Sequence, residues 1–533
     1  MRSWFARAAC LALLAFAVPR PAAAQGADAL ATLEAEIDAG RLEDARHGLE
    51  QLPQELRGSP RAKYLEGKLL FYEGDDKAAL DALRGAIQEA RTQLDWKQLR
   101  DRVEGISEIT ARFTRQEGAG GRFVYLFEAP EDALLAPYAD RALRAQADAL
   151  AGVFGDTPHA RIEVLFVADV KTLAALSGLL VEQIERTGTV GVSKYGRIMV
   201  LTPRALTSGY PWLDTLGHEL AHLFISRASY DKAPLWLHEG VAKLLEGLWR
   251  GRKSGELVPE EAYLLDRAAR EHRLIPLRRF HPSIAALPDQ EDAELAYAQV
   301  LSLVRYLDGK IGEGGVAKLL RLLGEGQTID GALEALTKFN LRRLYLWWEQ
   351  EVSGRRQTPV SVVVLMQKRF KHGAAGEETA EDGELSEDAQ RSVRLGDLLR
   401  LRGHVAAAVE EYRHAEELEG DNVPRVVERL GGSLIDLRRY ADAAALLEPV
   451  VALYPSFTAG FAQLGEALAE EDKCDAAIPA LERSLALNPF DPSPHCLLER
   501  CYTARGKKDA AALETDQCLK LSAAKPKEQE TAP

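Results

Sequence analysis

Gly431 and Gly465 stand 34 positions apart, as do Pro455 and Pro489, and Ala443, Ala477 and Ala511 carry the same period on. A fixed period of this length restricts the fold more than composition does. Each repeat must be one supersecondary unit that buries its apolar face on the next. Small residues recur where two helices cross closely and proline recurs where the second helix ends, so the unit is a helical hairpin. One unit earlier, Gly396, Ala408 and Ala415 hold the same phases with one extra residue before Gly431. Together these give about four units over residues 389–522. Towards the other end, Ala45 and Ala79 are again 34 apart and Gly67 precedes Ala79 by twelve. That spacing suggests about two more hairpins over 27–92, within a helical region 25–117; a helical array of unrelated origin fits that stretch as well.

The period is that of tetratricopeptide repeats, whose arrays build concave protein-binding surfaces. The chain is too long for the repeats alone. Its 533 residues exceed the roughly 250–300 that one hydrophobic core serves, and 46% hydrophobic with 28% charged residues describes folded rather than disordered chain. A net charge of -14 argues against nucleic acid as a partner, since that affinity needs clustered Lys and Arg. Arg2 and Arg7, the apolar run Cys10 to Val18 and Ala22 to Ala24 before Gln25 read as a cleaved export signal over 1–24. Pro19, Arg20 and Pro21 cut the run short of a membrane span, and no later segment supplies one. Residues 371–390 (KHGAAGEETAEDGELSEDAQ) have little to bury, so an acidic linker is expected over 356–388, with a tail at 523–533.

Apart from Cys10, all cysteines lie in the last two hairpins: Cys474, Cys496, Cys501 and Cys518. An even number in an exported chain permits disulfides. Antiparallel hairpin geometry brings Cys496 near Cys518 and Cys474 near Cys501, so those two bridges are expected; four buried thiols are the alternative.

Between the repeats lies 118–355. Arg122 to Glu128 (RFVYLFE), an amphipathic stretch over 135–153 and Arg161 to Val167 (RIEVLFV) read as strand, helix and strand, and Gly196 to Thr202 (GRIMVLT) as a further strand. The sharpest signal is His218-Glu219-Leu220-Ala221-His222 in an apolar run. On a helix, positions i and i+4 share a face, so two imidazoles can meet one Zn²⁺ while Glu219 points at an adjacent water. Glu239, in Pro234 to Ala242 (PLWLHEGVA), is available as a third ligand.

HELAH followed by PLWLHEGVA resembles the gluzincin metallopeptidases, and the second motif is similar to the WLNEG segment of their aminopeptidase branch. HExxH, WLxEGxA and flanking tetratricopeptide repeats together resemble the peptidase MA-like proteins of bacteria. The resemblance implies a mainly α chain in which a central α+β zincin-like metallopeptidase domain is flanked by tetratricopeptide-type hairpins. It also implies one zinc per chain held by His218, His222 and Glu239, Glu219 as general base, and Tyr297, in YAQVLSLVRYL, as hydrogen-bond donor to the oxyanion. A Tyr297 merely packed in a core helix is equally compatible with the residues, and His238 is a second candidate for the donor. The implied compartment is a bacterial periplasm, with secretion beyond it left open.

Three departures matter. Sixteen residues separate His222 from Glu239, fewer than in the aminopeptidase branch, and His238 stands where that branch has Asn. The exopeptidase motif GxMEN has no counterpart in Tyr195 to Thr202, which points to an endopeptidase. Lys243 stands four residues after Glu239, where thermolysin-like members carry an Asp, so their outer carboxylate is not expected. Gly196 to Thr202 is expected to offer the strand edge on which an extended substrate pairs. The expected function is peptide hydrolysis, with the repeats binding substrate or a protein partner. The alternative is an exported repeat scaffold whose zinc domain is weakly active or inactive.

Overall fold

The computed structural model describes residues 22–156, 158, 161–251, 257–281, 283–354, 368–371, 385–420 and 422–524. Most of the signal read at 1–24, most of the linker and most of the tail lie outside them. Among the described residues no helix is long and apolar enough to cross a membrane.

Helical hairpins stand at both ends of the chain, and one contact recurs in them. A Cβ on Gly465 would come within 2.5 Å of Leu481, one on Gly396 within 2.5 Å of Tyr412, and one on Gly431 within 3.4 Å of Leu447. Each partner lies sixteen residues on, and at Gly465 and Gly396 an added Cβ would force the facing side chain to move. In the N-terminal hairpin of Pro60–Tyr72 and Asp76–Glu89, a Cβ on Gly67 would stand 2.7 Å from Leu83, again sixteen residues on. The alanines twelve after these glycines, Ala79, Ala408, Ala443 and Ala477, are fully buried. The C-terminal hairpins run from Glu387–Leu401 to Lys508–Ala524.

The central domain holds a five-stranded sheet in the order β1 (Thr114–Glu117), β2 (Phe123–Phe127), β3 (Ile162–Val167), β5 (Arg197–Leu201), β4 (Gly191–Lys194). Strands β2, β3 and β5 are parallel and buried along their length, as strands covered on both faces must be. Antiparallel β1 and β4 form the edges. Two corrections follow. The sheet starts at Thr114, before residue 118, with a strand whose residues are polar and exposed (TRQE). On the side of β5 the edge is β4, not the Gly196 to Thr202 segment, because β5 is bonded on both sides. The Tyr195-Gly196 turn joining β4 to β5 has both residues at positive φ, 57° and 72°, as a tight hairpin requires. It is pinned from the N-terminal hairpin, where Tyr195 packs on Phe71 and Tyr72.

Five helices position the site: α1 (Ala136–Phe154), α2 (Trp212–Ser229), α3 (Leu235–Leu245), α4 (Pro259–Arg270) and α5 (Gln290–Ile311). The whole is mainly helical around one α+β domain, as expected. Residues 368–371, within the stretch read as linker, lie on this domain: Phe370 bridges Leu206, and the Thr207 amide donates to Arg369.

The last repeats dock on the central domain. Trp212 Nε1 donates to the Leu485 carbonyl at 3.1 Å, the Tyr210 amide to Leu487 at 3.0 Å, and the Tyr138 hydroxyl to Glu514 at 3.0 Å. Cys474–Cys501 and Cys496–Cys518 are both bridged, closing this docked end. Reduction is expected to cost about 2–4 kcal/mol per bridge, read as a lower denaturant midpoint for the repeat transition with reductant present. A midpoint unmoved by reductant would contradict it.

Candidate metal centre

The metal-ligand geometry comes from two helices held close by small residues. Helix α2 carries His218 and His222 one turn apart on one face. It ends at Tyr230, which takes a left-handed conformation (φ 50°), and Pro234 then starts α3, which brings Glu239 back to α2. Gly217 lets α2 approach the end of α3, since a Cβ there would lie 2.3 Å from the Glu246 carbonyl oxygen, and Gly240 lets α3 pack on α5, since a Cβ there would lie 2.7 Å from the Val300 carbonyl oxygen. Gln146, fully buried on α1, locks the arrangement by donating to the carbonyls of Gly217 (3.2 Å) and Leu245 (2.8 Å).

His218, His222 and Glu239 converge, with one ligand atom from each within 4.8 Å of the others. The two Nε2 atoms are 3.1 Å apart and lie 3.4 and 3.6 Å from Glu239 Oε2. Ligands 2.0–2.1 Å from a tetrahedral ion stand about 3.3 Å apart, so the three atoms fit the faces of one small cation. Glu239 Oε2 is buried without a hydrogen-bond partner, and coordination to a cation would satisfy it. The donor set, two imidazoles and a carboxylate, suits zinc.

Electrostatics agree. Burial alone would raise the Glu239 carboxyl, but the imidazoles of His222, His218 and His238 hold it down at about 2. Burial would likewise lower His218, yet Glu239 and Glu246 outweigh it and lift the imidazole to about 10. The cluster thus attracts positive charge. Glu219 points elsewhere: burial pushes its carboxyl up to about 7, and a Cβ on Gly191 of strand β4 would meet its Oε1 at 2.8 Å. The missing side chain at 191 leaves that carboxylate its room. Ser193 of the same strand donates to the Glu219 carbonyl at 2.6 Å, tying the free sheet edge to the helix that carries the base.

Outer contacts orient both imidazoles, and here the sequence reading needs correction. His218 Nδ1 faces the Glu246 carboxylate at 3.3 Å, so an outer carboxylate is present after all. It lies seven residues after Glu239 rather than four, still on one helix face, while Lys243 at the fourth position pairs with Glu246 at 3.0 Å. With Nε2 directed at the cluster, His222 Nδ1 donates to His238 Nδ1 (2.7 Å), His238 Nε2 donates to Ser226 Oγ (3.1 Å), and Ser226 donates to Asp231 (3.0 Å). His238 therefore stands at the rear of His222 and does not fit the oxyanion role.

Tyr297, half-buried on α5, has its ring 6.1 Å from that of His218 and lines a cavity of about 1310 Å³ that opens beside His218 and Glu219. Burial raises its hydroxyl above the usual range, so it stays a donor. The repeats contribute the cavity's far wall, with Pro479, Arg483 and Tyr502 among its residues. Asp214, one turn before His218, joins the two sides: it accepts from Trp249 (3.0 Å) and Arg250 (2.8 Å) and lies 3.6 Å from Arg483.

Residues 145–354 match the family model of the Peptidase MA superfamily, the family to which the two motifs point. Comparison with curated proteins finds no match. Solved structures similar to parts of the chain include a MamA protein (25% identity over 26% of this chain and 74% of that one, TM-score 0.24). They also include TTC0263, a thermophilic tetratricopeptide-repeat protein of Thermus thermophilus (23% identity, 25% and 75% covered, TM-score 0.23). A third is PilF of Pseudomonas aeruginosa (25% identity, 25% and 60% covered, TM-score 0.24).

Proposed function

We propose that the chain is an exported zinc metallopeptidase, an endopeptidase, that takes protein or peptide segments into the cavity between its central domain and its C-terminal repeats. The observation that carries this reading is the convergence of His218, His222 and Glu239 with Glu219 beside them on the cavity side. A protein that merely bound a structural metal would have no need of that buried carboxylate. Export is supported by the N-terminal residues and by two disulfides, and the periplasm is the compartment proposed.

Zinc bound there supplies Lewis acidity, polarising a peptide carbonyl and acidifying water so that it can be deprotonated near neutral pH. The rest falls to the chain. Glu219 accepts the proton of the attacking water and returns it to the leaving amine. Tyr297 donates to the oxygen on which charge develops. The free edge of β4 pairs with an extended substrate backbone beside Glu219, which holds a segment of any length in register. Glu246 and the chain of His238, Ser226 and Asp231 fix the two imidazoles by their outer nitrogens. The repeats wall the cavity, and through their own surface they bind the substrate protein or a partner.

Purified zinc-loaded full-length protein is expected to cleave unfolded casein, to lose that activity on chelation and to regain it when zinc is restored. Casein left intact under all three conditions would count against the peptidase reading.

A further inference from the structure

Most of the carboxylates that line the cavity are engaged. Asp214 holds Trp249 and Arg250, Glu246 holds Lys243 and His218, Glu482 accepts from Tyr502, and Glu514 accepts from Tyr138 and His495. Glu294 differs. It lines the cavity three residues before Tyr297 on α5, hence on the same helix face and about 4.5 Å farther along the axis. Among the described residues its carboxylate makes neither a hydrogen bond nor an ion pair. The charges that reach it act through space: Lys368 and Lys243 favourably, Glu261 and Glu291 unfavourably. Lys243 is already held between Glu246 and Glu261.

A half-buried carboxylate without a partner among the described residues leaves a partly desolvated negative charge that a cationic ligand would offset. Its place narrows the ligand. The step of about 4.5 Å from Tyr297 along the axis exceeds the 3.3–3.6 Å advance of one residue in an extended peptide by about 1 Å, a gap that a long side chain next to the scissile bond spans.

We propose that Glu294 selects peptides carrying lysine or arginine on the side of the scissile bond that enters this cavity. The inference rests on the peptidase reading and gives it a substrate class. Its test uses the full-length Glu219→Gln protein loaded with zinc, so that binding is read without turnover. The probes are fluorescent peptides acetylated and amidated at their ends, identical but for one Lys, Gln or Glu beside the central bond. Anisotropy titration is expected to show the Lys peptide bound about tenfold more tightly than the Gln peptide. Adding Glu294→Gln should bring that ratio to about one, and Glu294→Lys should invert the order in favour of the Glu peptide. A ratio near one before Glu294 is changed, or one that survives Glu294→Gln, overturns the inference and leaves the peptidase reading intact. Failure of every peptide to bind, together with intact casein in the assay above, overturns both.

Discussion

Glu219→Gln is expected to lower peptide turnover by about two to four powers of ten while zinc stays at about one per chain. The substitution is nearly isosteric: the bond from Ser193 to the residue's backbone carbonyl survives, and the amide oxygen of Gln can still accept from Ser193 as the carboxylate does. Metal affinity should hold, because the three converging atoms come from His218, His222 and Glu239. What goes is basicity. The carboxylate sits in a buried niche that raises its affinity for a proton, and an amide there can position water but cannot take its proton. Parallel measurement of casein turnover and metal content separates the outcomes. Loss of zinc along with activity would make Glu219 part of the metal site, and undiminished turnover with zinc present would remove the general-base mechanism.

The parts of this site that were legible in the sequence are those whose signal is local or periodic. His218 and His222 face one way because a helix repeats every 3.6 residues. Glu239 announced itself through its own segment, and the repeat glycines through a fixed period. The pairing of the four cysteines followed from hairpin geometry, whereas four buried thiols fitted the sequence as well as the two bridges the structure forms. What escaped depends on tertiary contact. Strands β1 (TRQE) and β4 (GVSK) lie at the sheet edges and lack the alternating or continuous apolar pattern by which strands are found. The Tyr195-Gly196 turn was the one local hint that a hairpin, and so a different edge, was present. Glu246 was missed because the outer carboxylate was sought four residues after Glu239, whereas the seventh position returns to the same face. That Trp212 and Asp214 on the metal helix would touch the last repeats is recorded in no local pattern. It arises from two surfaces far apart in sequence.

His222→Ala should bring zinc from about one per chain to near none, measured by mass spectrometry after zinc-replete preparation, because two ligands from different helices leave a site too weak to hold the ion through purification. The same substitution makes a stability prediction. Glu239 and Glu219 are brought together beside the two imidazoles at little or no exposure to water, with Glu246 at their rear. A bound cation offsets that crowding. Anything that binds only the folded state stabilises it by RT ln(1 + [L]/Kd), about 4 kcal/mol when free zinc is a thousand times Kd. In a domain of this size that is roughly 10 °C. Chelation should therefore lower the wild-type melting temperature by several degrees. His222→Ala should melt near the chelated wild type and should not respond to chelator. The contrast isolates the metal, since a loss of packing alone would lower both melting temperatures and leave the chelator-dependent gap in place. Equal chelator responses in the two proteins would mean that His222 is not a ligand and that the convergence of the three side chains serves some other end.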